Sequence, residues 1–91
     1  MVFTKKLRDR VKSGEITTSI RIWQKPHVKV GGRYSMEEGS IVVIALREIA
    51  FADISPELAR ESGFASVPDL LKTAKHGPGQ RVYFVRFRYE A

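Results

Sequence analysis

Residues Ser13 to Arg21, with the sequence SGEITTSIR, mark a change in the hydrophobic period of the chain. From Thr17 to Trp23, side chains suited to a core alternate with more polar ones, which predicts a strand because successive side chains of a strand point to opposite faces. We expect one face of this strand to pack in the core and the other to bind ligand. The core face carries Thr18, Ile20 and Ile22, and the other face carries Thr17, Ser19, Arg21 and Trp23.

The segment before this strand has the spacing of an amphipathic helix. Phe3, Leu7 and Val11 recur every four residues, which predicts a helix over residues 3–12. Thr4 can cap its first turn, and Gly14 can end it in a left-handed conformation. The outer sides of the helix are basic, and they form either a phosphate-binding rim or a solvated face.

The middle of the chain predicts two further strands. Residues 24–32 contain Pro26 and two glycines, which predict a loop leading to a strand over residues 33–37. Residues 41–46 are continuously apolar, which is typical of a strand buried on both sides. Residues 47–53 continue it as a strand or a bend. We expect this strand at the centre of the sheet.

The last third of the chain predicts two helices and a strand. A serine and a proline at residues 55–56 start one helix, and the same signal at residues 66–68 starts a second helix that runs to about His76. Residues 76–79 predict a turn, and residues 80–89 predict a final strand. This order of elements indicates an α+β fold, and we expect a small, closed, mixed β-barrel with short helices at its ends.

Length and composition favour one basic domain over residues 1–91. The chain has no cysteine, no membrane-length apolar run and no signal-like segment, so we expect a cytoplasmic protein with no membrane partner. A net charge of +6 favours an anionic partner, of which nucleic acid is the commonest. His27 and His76 lack neighbours at metal-ligand spacing and no phosphate-binding loop is present, so we expect neither a metal nor a cofactor.

The polar face of the first strand has the composition of a binding surface. It presents two hydroxyls and a guanidinium, whose five donors form a rigid fork. The alternative is an exposed strand face that only keeps the sheet soluble. The residues predicted to bind ligand are Gly14, Thr17, Arg21, Trp23, Lys25, Lys29 and Arg33.

The final strand interleaves arginines with aromatic residues, in the set Arg81, Tyr83, Arg86, Arg88 and Tyr89. Such a pattern is typical of surfaces that bind single-stranded nucleic acid, where each stacked base contributes about 1–3 kcal/mol. Half of these aromatic residues are expected in the core instead. Trp23 is the better stacking candidate, and a place in the core or at its rim is the alternative.

The order of these motifs resembles the ASCH family, which belongs to the PUA-like barrel superfamily. Residues 13–21 resemble the family signature, residues 28–32 resemble its basic loop, and residues 54–64 resemble a later helix that ends in Gly-Phe. The turn and strand of residues 78–89 are similar to those of short bacterial ASCH proteins. The resemblance implies a β-barrel with a cleft between the signature strand and the two-helix segment, and RNA or nucleoside ligands.

Some short ASCH proteins resemble a nucleoside amidohydrolase that removes an acyl group from N4 of cytidine with a lysine, a threonine and a glutamate. The resemblance places these roles on Ile16, Ser19 and Ser62, with Glu61 one residue before the last. Ser19 keeps a hydroxyl, whereas Ile16 cannot act as a base or a cation. Ser19 and Glu61 are the candidate catalytic residues, with a lysine of the following loop as a substitute cation.

Three functions remain open from the sequence. The leading hypothesis is an RNA- or nucleotide-binding module that uses the polar strand face and a basic cleft. The alternative is a hydrolase that acts on an acylated nucleoside such as N4-acetylcytidine, or on single-stranded RNA. The third is a regulatory or protein-interaction module.

Overall fold

The computed structural model describes residues 3–74 and 79–91. In chain order the elements are α1 (Lys5–Lys12), β1 (Thr18–Trp23), β2 (Arg33–Met36), β3 (Gly39–Ile49), a 3-10 turn (Phe51–Asp53), α2 (Pro56–Glu61), α3 (Val67–Ala74) and β4 (Arg81–Glu90). The strands form one sheet in the order β1-β4-β3-β2, curled into a half-barrel with the short helices packed around it. The predicted α+β class is confirmed.

The sheet differs from the closed, mixed barrel predicted from the sequence. Among residues 3–74 and 79–91, all three strand pairings are antiparallel, and β1 and β2 each pair on one side only. Strand β2 has four residues and is joined to β3 by a tight turn at Glu37 and Glu38, so it stays at the edge farthest from β1. The prediction of a closed mixed barrel is therefore wrong, and the sheet keeps two edges.

Strand β1 is an edge strand, yet all six of its residues are buried. Trp23 packs in a core that includes Leu7 and Val11 of α1. Ile20 and Ile22 pack in a second core, together with residues of α2 and α3. The predicted alternation is confirmed, but the prediction of a single core face is wrong because helices cover the strand on both sides.

Strand β3 lies between β4 and β2, and its burial changes along its length. Ile41, Val42 and Val43 are buried as predicted, whereas Ile44 is 45% exposed. A β-bulge between Val43 and Ala45 shifts the register and leaves Ile44 without a partner on β4. The predicted burial on both sides is therefore wrong from Ile44 onward, since the extra residue is turned out of the sheet.

Two helices end in the same backbone motif. At the end of α1, the N–H of Gly14 donates to the carbonyl of Val11 at 3.1 Å. The N–H of Glu15 donates to the carbonyl of Arg10 at 3.0 Å. At the end of α2, the N–H of Gly63 donates to the carbonyl of Arg60 at 3.0 Å in the same pattern. These Schellman motifs place the glycines at φ of +83° and +95°. Both predicted helix ends are confirmed.

The helix starts agree with the sequence in part. The Oγ of Ser55 accepts a hydrogen bond from the N–H of Leu58 at 3.0 Å, which confirms the predicted cap of α2. Thr4 occupies the cap position of α1, but its side chain makes no capping hydrogen bond. The predicted extension of α3 to His76 lies outside the described residues, as do residues 77–78 of the turn. Within residues 3–74 and 79–91, no helix has the length and apolar character needed to cross a membrane.

Gly63 provides a test of how α2 meets α1. A Cβ at Gly63 would lie 2.7 Å from side-chain carbons of Leu7 and Ile16, whereas a Cβ at Gly14 would meet nothing within 4 Å. Alanine at either glycine strains the backbone by about 1–2 kcal/mol, because both have positive φ. Gly63→Ala also overpacks the core, which adds about 1–3 kcal/mol. We expect urea denaturation to show a larger loss of unfolding free energy for Gly63→Ala than for Gly14→Ala. Equal losses would contradict this packing.

Candidate functional site

A cavity of about 220 Å³ opens beside β1, along the edge of the strand that faces away from β4. Three consecutive residues of this strand line it, Ser19, Ile20 and Arg21. The other walls come from the start of α1, the segment that joins α2 to α3, and the end of α3. Their apolar side chains include Phe3, Leu7 and Phe64, and their polar ones are Thr4, Arg8, Ser62 and Thr73. The cavity therefore lies where helices from both sides of the sheet meet its edge.

Arg21 is the only charged residue among residues 3–74 and 79–91 that is buried, with 8% of its surface exposed. Its Nε donates a hydrogen bond to the Oγ of Ser19 at 2.8 Å, and its guanidinium carbon lies 4.9 Å from the centre of the Phe3 ring. No carboxylate of the described residues forms an ion pair with it. Arg21 therefore brings an uncompensated positive charge to the wall of the cavity.

Burial disfavours the charged form of Arg21 and lowers its pKa to about 10. The side chain is still protonated at pH 7, so the fold contains a desolvated positive charge. Because the folded-state pKa lies below the unfolded-state value, this charge destabilises the fold at neutral pH, and the effect disappears as the pH rises through about 10 and beyond. A negatively charged ligand in the cavity would offset the same cost at neutral pH.

The open edge of β1 also brings backbone polar groups to the cavity. The N–H of Phe87 donates to the carbonyl of Thr17 at 2.9 Å, and the register places these two residues opposite each other. In an antiparallel pair, residues bonded to the neighbouring strand alternate with residues whose N–H and C=O point away from it. The odd-numbered residues of β1 therefore bond to β4. Ile20 directs its N–H and C=O to the open edge.

A buried pair of hydroxyls joins α2 to the strand beside the cavity. The Oγ1 of Thr18 and the Oγ of Ser62 are 3.2 Å apart, and both residues are buried. Ser62 caps the end of α2, and the next residue, Gly63, has no room for a side chain next to Leu7. The end of α2 is thereby held to both β1 and α1, which sets the position of this wall.

Two of the predicted site residues meet in the cavity, Ser19 and Arg21. Thr17 is exposed and does not line it. Trp23 does not reach it either, because its ring is buried and stacked on His27 with 4.8 Å between the ring centres. The structure therefore places Trp23 in the core and not on an open stacking surface.

The remaining predicted ligand-binding residues lie elsewhere. Gly14 ends α1, and Lys25 and Lys29 are exposed in the loop after β1. Arg33 lies on β2, where it forms an ion pair with Glu90. The loop carries the chain from one edge of the sheet to the other, so β2 lies three strands away from β1. The described residues do not gather these cations around Arg21.

The candidate catalytic pair, Ser19 and Glu61, is also separated. Glu61 is exposed on α2 and lines a different cleft, together with Glu57. Within the part of the chain that the structure describes, the Oγ of Ser19 is hydrogen-bonded to Arg21, which is a donor and not a base. The family position of the glutamate falls on Ser62, and that residue does line the cavity.

Several lining residues were not assigned to the site from the sequence. Arg8 is one of several basic residues of α1, and its Nε donates to the carbonyl of Phe3 at 3.0 Å. Thr73 lies far from β1 in the chain, and no local pattern marks it as a site residue. Two signals did exist in the sequence: the basic outer sides of α1, which include Arg8, and the family resemblance over residues 54–64, which includes Ser62 and Phe64.

Replacing Arg21 with methionine tests whether its charge is compensated. Methionine keeps much of the length without the charge, and replacing buried ionic groups with apolar ones is often neutral or stabilising by about 1–4 kcal/mol. We expect Arg21→Met to maintain or raise the unfolding free energy at pH 7, measured by urea denaturation. Arg81→Met is the control, at an exposed arginine that pairs with Glu48, and it should change little. A loss above about 2 kcal/mol for Arg21→Met would show that the buried guanidinium stabilises the fold.

The site thus combines a buried guanidinium, several hydroxyls, an open pair of backbone groups and an apolar wall at one edge of the sheet. No family model matches the chain, and no curated protein or solved structure does either.

Proposed function

We propose that the protein is an RNA- or nucleotide-binding module of the ASCH, PUA-like type, and that the cavity beside β1 receives one nucleotide. The observation that carries the proposal is the buried guanidinium of Arg21, which has no carboxylate partner among the described residues. A buried charge is ordinarily paired, because its desolvation is costly. An anionic ligand supplies the missing partner.

Phosphate suits the chemistry of this wall. A guanidinium presents parallel N–H donors that match two oxygens of a phosphate, and such charge-assisted bonds are stronger than neutral ones. The Nε of Arg21 is held by Ser19, which leaves the terminal nitrogens for a ligand. Arg8 also lines the cavity, and one of its terminal nitrogens lies 4.0 Å from a carboxylate oxygen of Glu37.

The rest of the cavity suits a small planar ring. Its volume of about 220 Å³ exceeds the ~150 Å³ of a cavity known to hold benzene, so one substituted ring fits. Phe3, Leu7 and Phe64 provide apolar surface. The N–H and C=O of Ile20 offer a donor next to an acceptor, which is complementary to the hydrogen-bonding edge of a base. A pyrimidine nucleotide meets these requirements better than the larger purines.

The family resemblance supports the same location and favours binding over hydrolysis. It implies a cleft between the signature strand and the two-helix segment, and the cavity lies between β1 and those helices. The positions that correspond to the family's lysine and glutamate hold Ile16, which is 1% exposed, and Ser62. Neither can act as a base. The cavity therefore has room for a ligand but lacks the catalytic residues of the amidohydrolase.

Isothermal titration calorimetry with the four nucleoside monophosphates tests the proposal. We expect UMP or CMP to bind wild-type protein more tightly than AMP or GMP, and uridine without phosphate to bind more weakly. Arg21→Met should reduce the affinity about 10- to 150-fold, since a hydrogen bond to a charged group contributes about 1.5–3 kcal/mol. Arg81→Met should bind as wild type does. Failure of every nucleotide to bind, or unchanged affinity in a folded Arg21→Met variant, would sink the proposal.

A further inference from the structure

A second positively charged surface lies on the side of the sheet opposite to α1. It consists of four exposed arginines from three strands, and we call this set the arginine face: Arg33, Arg47, Arg86 and Arg88. We propose that the arginine face binds the sugar–phosphate backbone of a single-stranded nucleic acid. The inference rests on the proposed nucleotide-binding function and adds a contact surface for the rest of a longer strand.

The strand register brings these side chains onto one face. Arg88 and Arg33 lie in one row across the sheet, since both are in register with the same residue of β3. Arg86 lies two residues before Arg88, and Arg47 lies opposite Phe84, a further two residues along β4. Four residues of a strand span about 14 Å. The face therefore extends over several nucleotides of an extended strand.

The arginine face holds a large share of the excess charge. Among the described strand residues on this face, the acidic one is Glu90, which pairs with both Arg33 and Arg88. Arg47 and Arg86 form no ion pair with any described residue. Counted over the side chains that β2, β3 and β4 place on this face, four arginines and one glutamate leave an excess of three positive charges. This charge is complementary to a polyanion.

The two arginines without ion pairs are held against one aromatic ring. The guanidinium carbons of Arg47 and Arg86 lie 5.4 Å and 6.0 Å from the ring centre of Phe84. These cation–π contacts restrict both side chains, so less conformational freedom is lost when a phosphate binds. A stacked guanidinium keeps its in-plane donors for phosphate and its outer surface for a base.

An acidic cleft limits the path of the nucleic acid. Arg47 and Phe84 line this cleft together with four acidic residues: Glu48, Asp53, Glu57 and Glu61. Their carboxylates repel phosphate groups, so a polyanion is directed away from α2. The favourable path runs from the two arginines on Phe84 toward Arg88 and then across to β2.

The residue type of the cations favours nucleic acid over a merely solvated surface. The basic residues of the four strands are all arginines: Arg21, Arg33, Arg47, Arg81, Arg86 and Arg88. Lysine would serve solubility equally well, but its ammonium group binds phosphate as a point charge and does not stack on bases. Recognition of phosphates and bases together is the property that distinguishes arginine here.

Fluorescence anisotropy with a short, labelled oligouridylate, measured over a range of KCl concentrations, tests the arginine face. The double variant Arg47→Gln/Arg86→Gln removes the two unpaired cations. The matched control Arg60→Gln/Arg81→Gln removes the same charge from exposed arginines that already pair with glutamates. We expect at least about tenfold weaker binding for the first variant and a fall of about 1.4 in the slope of log K against log salt, or ~0.7 per lost phosphate contact. Equal losses in both double variants would overturn the proposal.

Three further measurements make the outcome specific. Arg47→Gln/Arg86→Gln should bind nucleoside monophosphates as wild type does. Arg21→Met should lose affinity for nucleoside monophosphates but keep most of the salt dependence of RNA binding. If only Arg21→Met loses RNA binding, the proposal that the arginine face binds RNA is wrong, and the cavity proposal is unaffected. If duplex RNA binds as tightly as single-stranded RNA and loses the same affinity in Arg47→Gln/Arg86→Gln, the assignment to single strands is wrong. Should the double variant fail to fold, Arg86→Gln alone must still lower the salt slope, by about 0.7.

Discussion

Strand β1 is enclosed on both faces while its hydrogen-bonding edge stays open, and the rest of the site is arranged around this constraint. Helix α1 covers one face, and α2 and α3 cover the other. Helices bury side chains but cannot continue the hydrogen bonds of a sheet, so a space remains between them along the edge. Arg21 and Ser19 point to the α1 side of that space. Gly63 lets the helices on the two sides come close enough to enclose it.

The same residue type then acts in two electrostatic environments. Arg21 is buried in the protein interior. The effective dielectric constant is low there, and dissolved salt screens charges weakly. Arg86 and Arg88 lie in solvent, where their attraction for a polyanion falls steeply as salt is added. A ligand held in the cavity and a strand held on the sheet would therefore respond differently to ionic strength.

Local patterns in the sequence predicted the local structure. They did not predict which strands, far apart in the chain, pair with each other. The change of period at Ser13 to Arg21, the two helix-ending glycines and the cap at Ser55 all depend on neighbouring residues. Alternation was also enough to put Ser19 and Arg21 on one face. The open sheet, the second core over β1 and the position of Arg33 depend on strand order, which residues far apart in the chain determine. Ile44 is turned outward by a bulge that its apolar neighbours do not reveal.

Trp23 ends the strand that carries Arg21, and it is the only tryptophan of the chain. Its ring stacks on His27, in the loop that leaves β1, with 18° between the ring planes. An imidazole stacked on an indole ring changes the indole's fluorescence. The chain therefore has a built-in optical reporter: the emission of Trp23 follows any movement of His27 and of the loop that carries it, without an added label.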